Sequence, residues 1–240
     1  MILNINNEII EVQIERTKRV TLSLQLREDA SVLVKAPLQL SDGKIQEILE
    51  KKANWIVEKR EEIKRRQSKR IKREFVTGAT LPFLGKEHYL RVSLAKKSSV
   101  DFNDYESNYM ERGFYISTKS LDHDDIQKLL KKWYKKRTLE EVNHRVREYS
   151  KIMNVTVSSV SVKSRKREWG SCDSQGNLTF NWKLSMATPE AIDYVVVHEL
   201  CHRKFMDHSK QFWKEVEKYI PNYKEQKKWL NENAINMNLE

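Results

Sequence analysis

Three histidines and one glutamate have the residue types and spacing of a metal-dependent hydrolytic site. His198 and His202 enclose Glu199 in the sequence His-Glu-Leu-Cys-His, and His208 follows six residues later. Residues four apart on a helix share one face, so the first two imidazoles can bind the same ion. Glu199 then lies beside the open coordination position, where a carboxylate can act as the general base for a zinc-bound water. We predict a catalytic zinc site with this glutamate as the base.

The position of His208 requires the helix to end after His202. A continued helix would place residue 208 roughly 240° around the axis, away from the metal. We place the turn at Phe205 to Asp207, because Asp207 readily adopts a turn conformation. Three histidine ligands, His198, His202 and His208, with one open position are typical of catalytic rather than structural zinc. The expectation is one Zn²⁺ per chain.

An HExxH sequence also arises by chance in charged helices, so the metal-binding interpretation needs further support. The preceding run from Ile192 to Val197 is mostly apolar, which predicts a buried helix. Two imidazoles and a carboxylate in such a helix would be costly without a metal partner. Half of the chain's 6 histidines also fall in this short segment. Both observations favour a metal site.

Candidate substrate-binding residues precede the histidine motif. The turn from Trp169 to Cys172 is expected to border the cleft, with Gly170 allowing a close backbone approach. Trp169 is either a core anchor or a substrate contact, and Cys172 has a structural, metal-binding or redox role. The stretch from Leu178 to Asn181 alternates and is predicted to be an edge strand to which an extended peptide could add.

The basic composition favours polyanionic partners. The chain carries 45 basic and 34 acidic residues, a formal net charge of +11. Nucleic acid or an acidic protein is a possible partner, although much of the excess lies in helical stretches whose period suggests solvated faces. A further basic cluster, Lys163, Arg165, Lys166 and Arg167, is either a solvated loop or an anion-binding segment.

Composition also limits the protein class. The 240 residues suffice for one large or two small domains, and 39% of them are hydrophobic. We find no apolar run of the length that a membrane span needs and no signal-peptide pattern, so we expect no membrane partner. The 2 cysteines form no CxxC pair. We therefore expect a cytoplasmic protein.

Periodicity predicts an α+β fold. Alternation at 20–26 and 31–35 indicates antiparallel strands joined by a tight turn, followed by a long basic helix over about 42–70. A second long helix is expected over 124–153, and Pro189 suits the first turn of the histidine helix. These elements divide into an N-terminal region, 1–75, and a catalytic region, 76–240, which could also form one continuous domain.

Several segments resemble the YgjP-like metallopeptidase family. They are Arg167 to Cys172, Asn181 to Leu184, Asp193 to His202 and His208 to Trp213. The resemblance implies a zincin-like α+β catalytic domain with the three histidines as zinc ligands and Glu199 as catalytic base. The family is also similar to SprT-type proteases, some of which act on proteins attached to DNA.

These observations predict a zinc-dependent peptidase that acts on a protein or peptide. The alternative is a basic zinc-containing protein of a nucleic-acid or restriction-type assembly, with weak or latent hydrolytic activity. A metal-dependent hydrolase of another substrate class is a further candidate. An intact Glu199 favours the peptidase, because a purely structural site has no need of a carboxylate at that point.

Overall fold

The computed structural model describes residues 1–5, 8–27, 29–68, 70–104, 112–165 and 168–239. The chain divides into two compact units, Met1–Arg70 and Ile71–Glu240. Lys166 and Arg167, half of the basic cluster noted above, lie outside the described residues. The proposed division into folding regions at residue 75 stays a prediction.

The first unit contains a mixed four-stranded sheet with the order β1-β2-β4-β3. Its strands are β1 (Ile2–Ile5), β2 (Glu8–Thr17), β3 (Ser23–Leu26) and β4 (Val32–Pro37). The predicted antiparallel pairing of the two alternating segments is found between β3 and β4. Strands β2 and β4 pair in parallel, however, so the region is not wholly antiparallel. Alternation reveals which face of a strand is buried but not the direction of its partner.

Two helices replace the single long helix predicted over 42–70. They are α1 (Asp42–Lys51) and α2 (Ala53–Ser68), and the chain leaves the helical conformation at Lys52. The Ser41 hydroxyl accepts a hydrogen bond from the Lys44 N–H, which makes Ser41 the N-cap that its residue type favours. Apolar side chains of both helices, including Ile45 and Ile56, are fully buried in the core of this unit.

The second unit begins with another four-stranded sheet, of order β5-β6-β8-β7. Its strands are β5 (Thr80–Phe83), β6 (Lys86–Leu94), β7 (Ser99–Asn103) and β8 (Gly113–Thr118). Strand β7 pairs with β8 alone among the described strands and therefore forms one edge. The long helix α3 (His123–Met153) follows, close to its predicted bounds.

The C-terminal part of this unit positions the histidine motif. A three-stranded sheet consists of β9 (Ser159–Lys163), β10 (Gly170–Cys172) and β11 (Asn177–Asn181), in the order β10-β11-β9. A short 3-10 helix, Trp182–Met186, leads to α4 (Pro189–Cys201), α5 (Lys210–Tyr219) and α6 (Tyr223–Asn233). The fold is α+β, as predicted. None of the helices among the described residues combines the length and apolar character needed to cross a bilayer.

Candidate metal centre

Helix α4 carries the motif through the core. The Thr188 hydroxyl accepts from the Ala191 N–H, and Pro189 occupies the first turn, where its missing N–H costs nothing. Asp193 accepts a hydrogen bond of 2.8 Å from the Arg145 guanidinium of α3, and this contact ties the two helices together. This anchoring fixes the helix that presents the candidate ligands.

The helix ends earlier than we predicted. Its last residue is Cys201, and the Phe205 N–H donates back to the Cys201 carbonyl. The Asp207 carboxylate then accepts from the Ser209 N–H, which is a local turn of the kind expected for aspartate. The chain reverses within these residues and returns His208 to the other two histidines.

The three histidines converge on one point. One ring nitrogen from each of His198, His202 and His208 lies within 4.8 Å of the others. The Nε2 atoms of His198 and His208 are 3.1 Å apart. Imidazole nitrogens bound tetrahedrally at zinc distances are roughly 3.4 Å apart, so the observed triad needs only small adjustments to hold the ion.

The ring environment of the triad also fits a metal. Nδ1 of His202 lies 3.0 Å from the Phe205 carbonyl oxygen, and a proton donated there leaves Nε2 of this ring to the ion. Burial, together with the neighbouring His202 and His208, lowers the pKa of His198 to about 3. A neutral imidazole is the form that binds metal. The donor set and the neutral form of His198 therefore fit zinc.

Glu199 is a buried carboxylate at the triad. Only 4% of its surface is exposed. Burial raises the pKa of Glu199 to about 8, the Glu168 carboxylate adds to this shift and Arg165 opposes it. A cation bound by the three histidines would lower the pKa of Glu199 instead. A carboxyl group whose pKa is raised toward neutrality is suited to exchange protons.

Gly170 is required by the position of Glu199. A Cβ atom at residue 170 would lie 2.6 Å from Oε1 of Glu199 and 2.7 Å from its Cγ. These separations are well below van der Waals contact. The sequence suggested a close backbone approach at Gly170, and the group approached is the candidate base itself. Any larger residue at position 170 must displace that carboxylate.

We expect Gly170→Ala to lower peptide hydrolysis by about 10²-fold, because a displacement on the order of 1 Å misplaces a reacting group. Gly43→Ala is the matched control, since a Cβ at that helical position meets no atom within 4 Å. The control should keep full activity. Steady-state rates on a cleavable peptide measure both. Activity of Gly170→Ala within twofold of wild type would show that the position of Glu199 is not critical.

A cleft of about 430 Å³ opens over the triad. Its lining residues are Glu168, Trp169, Gly170, Ser171, Cys172, Tyr194, Val195, His198, Glu199, His202, Met206 and His208. Trp169 and Gly170 thus border the cleft, as the sequence indicated. Trp169 also packs against the core, as a core anchor would, and its contact with a substrate stays a prediction.

Asn181 supports the cleft from behind. Its side-chain amide donates to the carbonyl oxygens of Arg165 and Glu168, at 2.9 and 3.1 Å, and its Oδ1 accepts from the Lys183 N–H. The side chain is almost fully buried and is not among the lining residues of the cleft. These bonds hold the loop before β10, and a direct substrate contact by Asn181 stays a prediction.

The predicted edge strand is a central strand. Residues 177–181 form β11, which pairs with β10 on one side and β9 on the other. An added peptide therefore cannot pair there. The edge beside the cleft is β10, whose Gly170, Ser171 and Cys172 all line it. The sequence predicted the strand itself correctly but not the strands that pair with it.

Two features of the site were missed in the sequence. Tyr194 lies one turn before His198 on α4 and lines the cleft, a spacing that the helical period could have revealed. Arg203, directly after the second motif histidine, donates to the carbonyl oxygens of Thr156 and Ser174. It thereby joins the end of the motif to the β10–β11 turn, and no local signal in the sequence indicates this contact.

The family comparison agrees with the geometry of the site. A family model described as YgjP-like, metallopeptidase domain, matches residues 20–233. No curated protein matches the chain. A matching solved structure is the crystal structure of the metallopeptidase zymogen of Pyrococcus abyssi abylysin, with 25% sequence identity and a TM-score of 0.36. The match covers 40% of this chain and 99% of that chain.

Proposed function

The chain belongs to the YgjP-like metallopeptidase family, and we propose that it hydrolyses peptide bonds at a zinc ion held by His198, His202 and His208. The observation that carries this proposal is the convergence of three imidazoles beside one buried carboxylate. Three histidine ligands are the number that catalytic zinc sites use, and the cleft is lined by all three. Family membership supports the reaction class, and the geometry supports the assignment of individual residues.

Held by His198, His202 and His208, a zinc ion would supply Lewis acidity toward the scissile carbonyl and toward water. Glu199 is positioned to remove a proton from the attacking water and to deliver it to the leaving amine nitrogen. Gly170 holds the space in which that carboxylate lies, and Asn181 holds the loop that leads to Gly170.

Strand β10, which pairs with β11 alone among the described strands, is the proposed substrate-binding strand. The Asn181 N–H donates to the Trp169 carbonyl, and the Asp173 N–H donates to the Asn177 carbonyl. Because antiparallel pairing alternates, these bonds direct the backbone groups of Gly170 and Cys172 away from β11. An extended peptide can therefore add to this edge and lay a peptide bond across the triad.

The test is digestion of a mixture of several hundred synthetic peptides by the purified full-length chain, followed by mass spectrometry. We expect cleavage by zinc-loaded protein, loss of cleavage after chelation, and recovery when zinc is returned. Cleavage positions would also define side-chain preferences beside Trp169. An intact mixture after incubation with fully zinc-loaded protein would contradict peptide hydrolysis, as would cleavage that is indifferent to chelation.

A nucleic-acid or restriction-type partner stays a prediction based on net charge. Polyanion binding through lysine and arginine must weaken steeply as salt rises. Titration of a labelled oligonucleotide at low and physiological salt tests it directly. We expect any affinity to fall at least about tenfold over that range, and a salt-independent affinity would contradict the electrostatic explanation.

A further inference from the structure

A second concave surface lies in the same unit and shares no residue with the metal cleft. This groove has a volume of about 650 Å³. One wall is strand β7 and the segment before it, from Ser98 to Phe102, and the other wall is a stripe of helix α3. We call it the β7–α3 groove. The α3 stripe comprises Leu129, Lys132, Trp133, Lys136, Arg137 and Glu140.

The strand wall from Ser98 to Phe102 lies at the edge of its sheet among the described strands. Strand β7 is hydrogen-bonded to β8 on one side and has no strand on its other side among the described residues. The N–H and C=O groups of alternate residues on such an edge are free to pair with an extended chain. The α3 stripe from Leu129 to Glu140 spans roughly 16 Å, which is the length of about five extended residues.

The floor of the groove is aromatic. The Trp133 ring lies 5.1 Å from Phe83 and 5.9 Å from Phe102, measured between centroids. Trp133 and Phe102 are only partly buried, although both pack against the core. The floor can therefore receive an apolar side chain that enters from the strand side.

The helix wall is basic. Three cations of α3 line the groove, Lys132, Lys136 and Arg137, together with one acidic residue of this helix, Glu140. Lys132 has no ion pair among the described residues, and Nε of Arg137 is buried there without an acceptor. The Glu140 carboxylate lies 2.7 Å from Arg137 and 3.9 Å from Lys136. The wall thus retains uncompensated positive charge.

We propose that the β7–α3 groove binds an extended protein segment in which an apolar and an acidic side chain are two residues apart. The segment adds to the β7 edge through backbone hydrogen bonds. Alternate side chains of a strand point the same way, so both of these side chains face α3. The apolar one packs on Trp133, and the acidic one pairs with Lys132 or Lys136.

Two observations favour a peptide over a nucleic acid. The β7 edge supplies backbone donors and acceptors that suit another strand. Asp101 and Asp104 line the same groove and would repel a continuous phosphate backbone. In an added strand, the side chains that face away from α3 lie near the carboxylates of Asp101 and Asp104. Neutral side chains at these positions avoid repulsion.

The probe is a fluorescein-labelled heptapeptide, Thr-Glu-Thr-Phe-Thr-Glu-Thr, titrated into the full-length chain by fluorescence polarisation at physiological salt. The chain carries Glu199→Gln so that the probe stays intact. The variant Lys132→Glu with Lys136→Glu should bind at least about tenfold more weakly. Arg147→Glu with Lys151→Glu is the matched control, because these residues are also exposed, four apart and on α3. The control should bind like the parent chain.

Backbone pairing is tested with two further peptides, N-methylated either at the threonines or at the glutamate and phenylalanine positions. Strand addition predicts that only one of the two loses binding, because alternate N–H groups face the edge. Equal binding of both would overturn the proposal, as would equal weakening by the two double variants. Displacement of the probe by a ten-nucleotide oligothymidylate would assign the groove to nucleic acid. Binding is measured without turnover, so failure of the peptidase assay leaves this test unaffected.

Discussion

Glu199→Gln is expected to lower peptide hydrolysis by about 10²- to 10⁴-fold, the range typical of a lost general base. The amide has nearly the shape of the carboxylate, so it fits beside Gly170, but it cannot accept a proton at neutral pH. The three histidines are unchanged, so the zinc content should stay near one ion per chain. Rates on a cleaved peptide, elemental analysis and thermal unfolding measure these three properties.

Glu190→Gln is the control for this substitution. Glu190 is an exposed residue in the first turn of the same helix, and it does not line the cleft. The substitution removes one carboxylate from α4 without changing the site, so the hydrolysis rate of this variant should equal that of wild type. Wild-type hydrolysis by Glu199→Gln would remove Glu199 from its assigned role. Loss of zinc in that variant would instead show that the carboxylate helps to hold the metal.

His208→Ala is expected to abolish stoichiometric zinc binding and, with it, peptide hydrolysis. Two histidines on one helix turn remain, and two ligands fall short of the three that a catalytic zinc site uses. His208 is exposed, so its removal leaves no cavity in the core and the fold should persist. Zinc at 100 times its dissociation constant should stabilise the wild-type chain by about 2.7 kcal/mol and the variant by much less.

His144→Ala is the matched control for the metal measurement. His144 lies on α3, its side chain is 64% exposed and it is not a member of the triad. Elemental analysis and thermal unfolding with and without zinc should give wild-type values for this variant. Full zinc content in His208→Ala would exclude His208 as a ligand. A wild-type chain that takes up no zinc even when it is supplied would contradict the site as a whole.

Local signals in the sequence located most helices well. The bounds of α3 were within one residue at its start, because its apolar residues recur along many turns. Ser41 and Ser209 are the N-caps of α1 and α5, a role that serine favours by residue type. The prediction of one continuous basic helix was wrong. The chain leaves the helical conformation at Lys52, and nothing in the type of this residue distinguishes it from its neighbours.

Strand neighbours could not be predicted in this way. The sequence indicated that residues 178–181 form a strand, and the structure places them in the centre of a sheet rather than at its edge. The parallel pairing of β2 with β4 was likewise missed. A strand's own pattern reports which faces are buried, whereas its pairing depends on segments that are distant in the chain.

By itself the sequence predicted which residues form the candidate metal site. His198, Glu199, His202 and His208 lie in one short segment, and helix geometry alone brings the first two ligands to one face. The tertiary structure decided what surrounds them: the backbone of Gly170 against Glu199, the free edge of β10 and the supporting role of Asn181. The β7–α3 groove is also visible only in the fold. Short-range spacing is encoded in local backbone geometry, whereas burial, pKa and strand edges arise only when distant segments pack together.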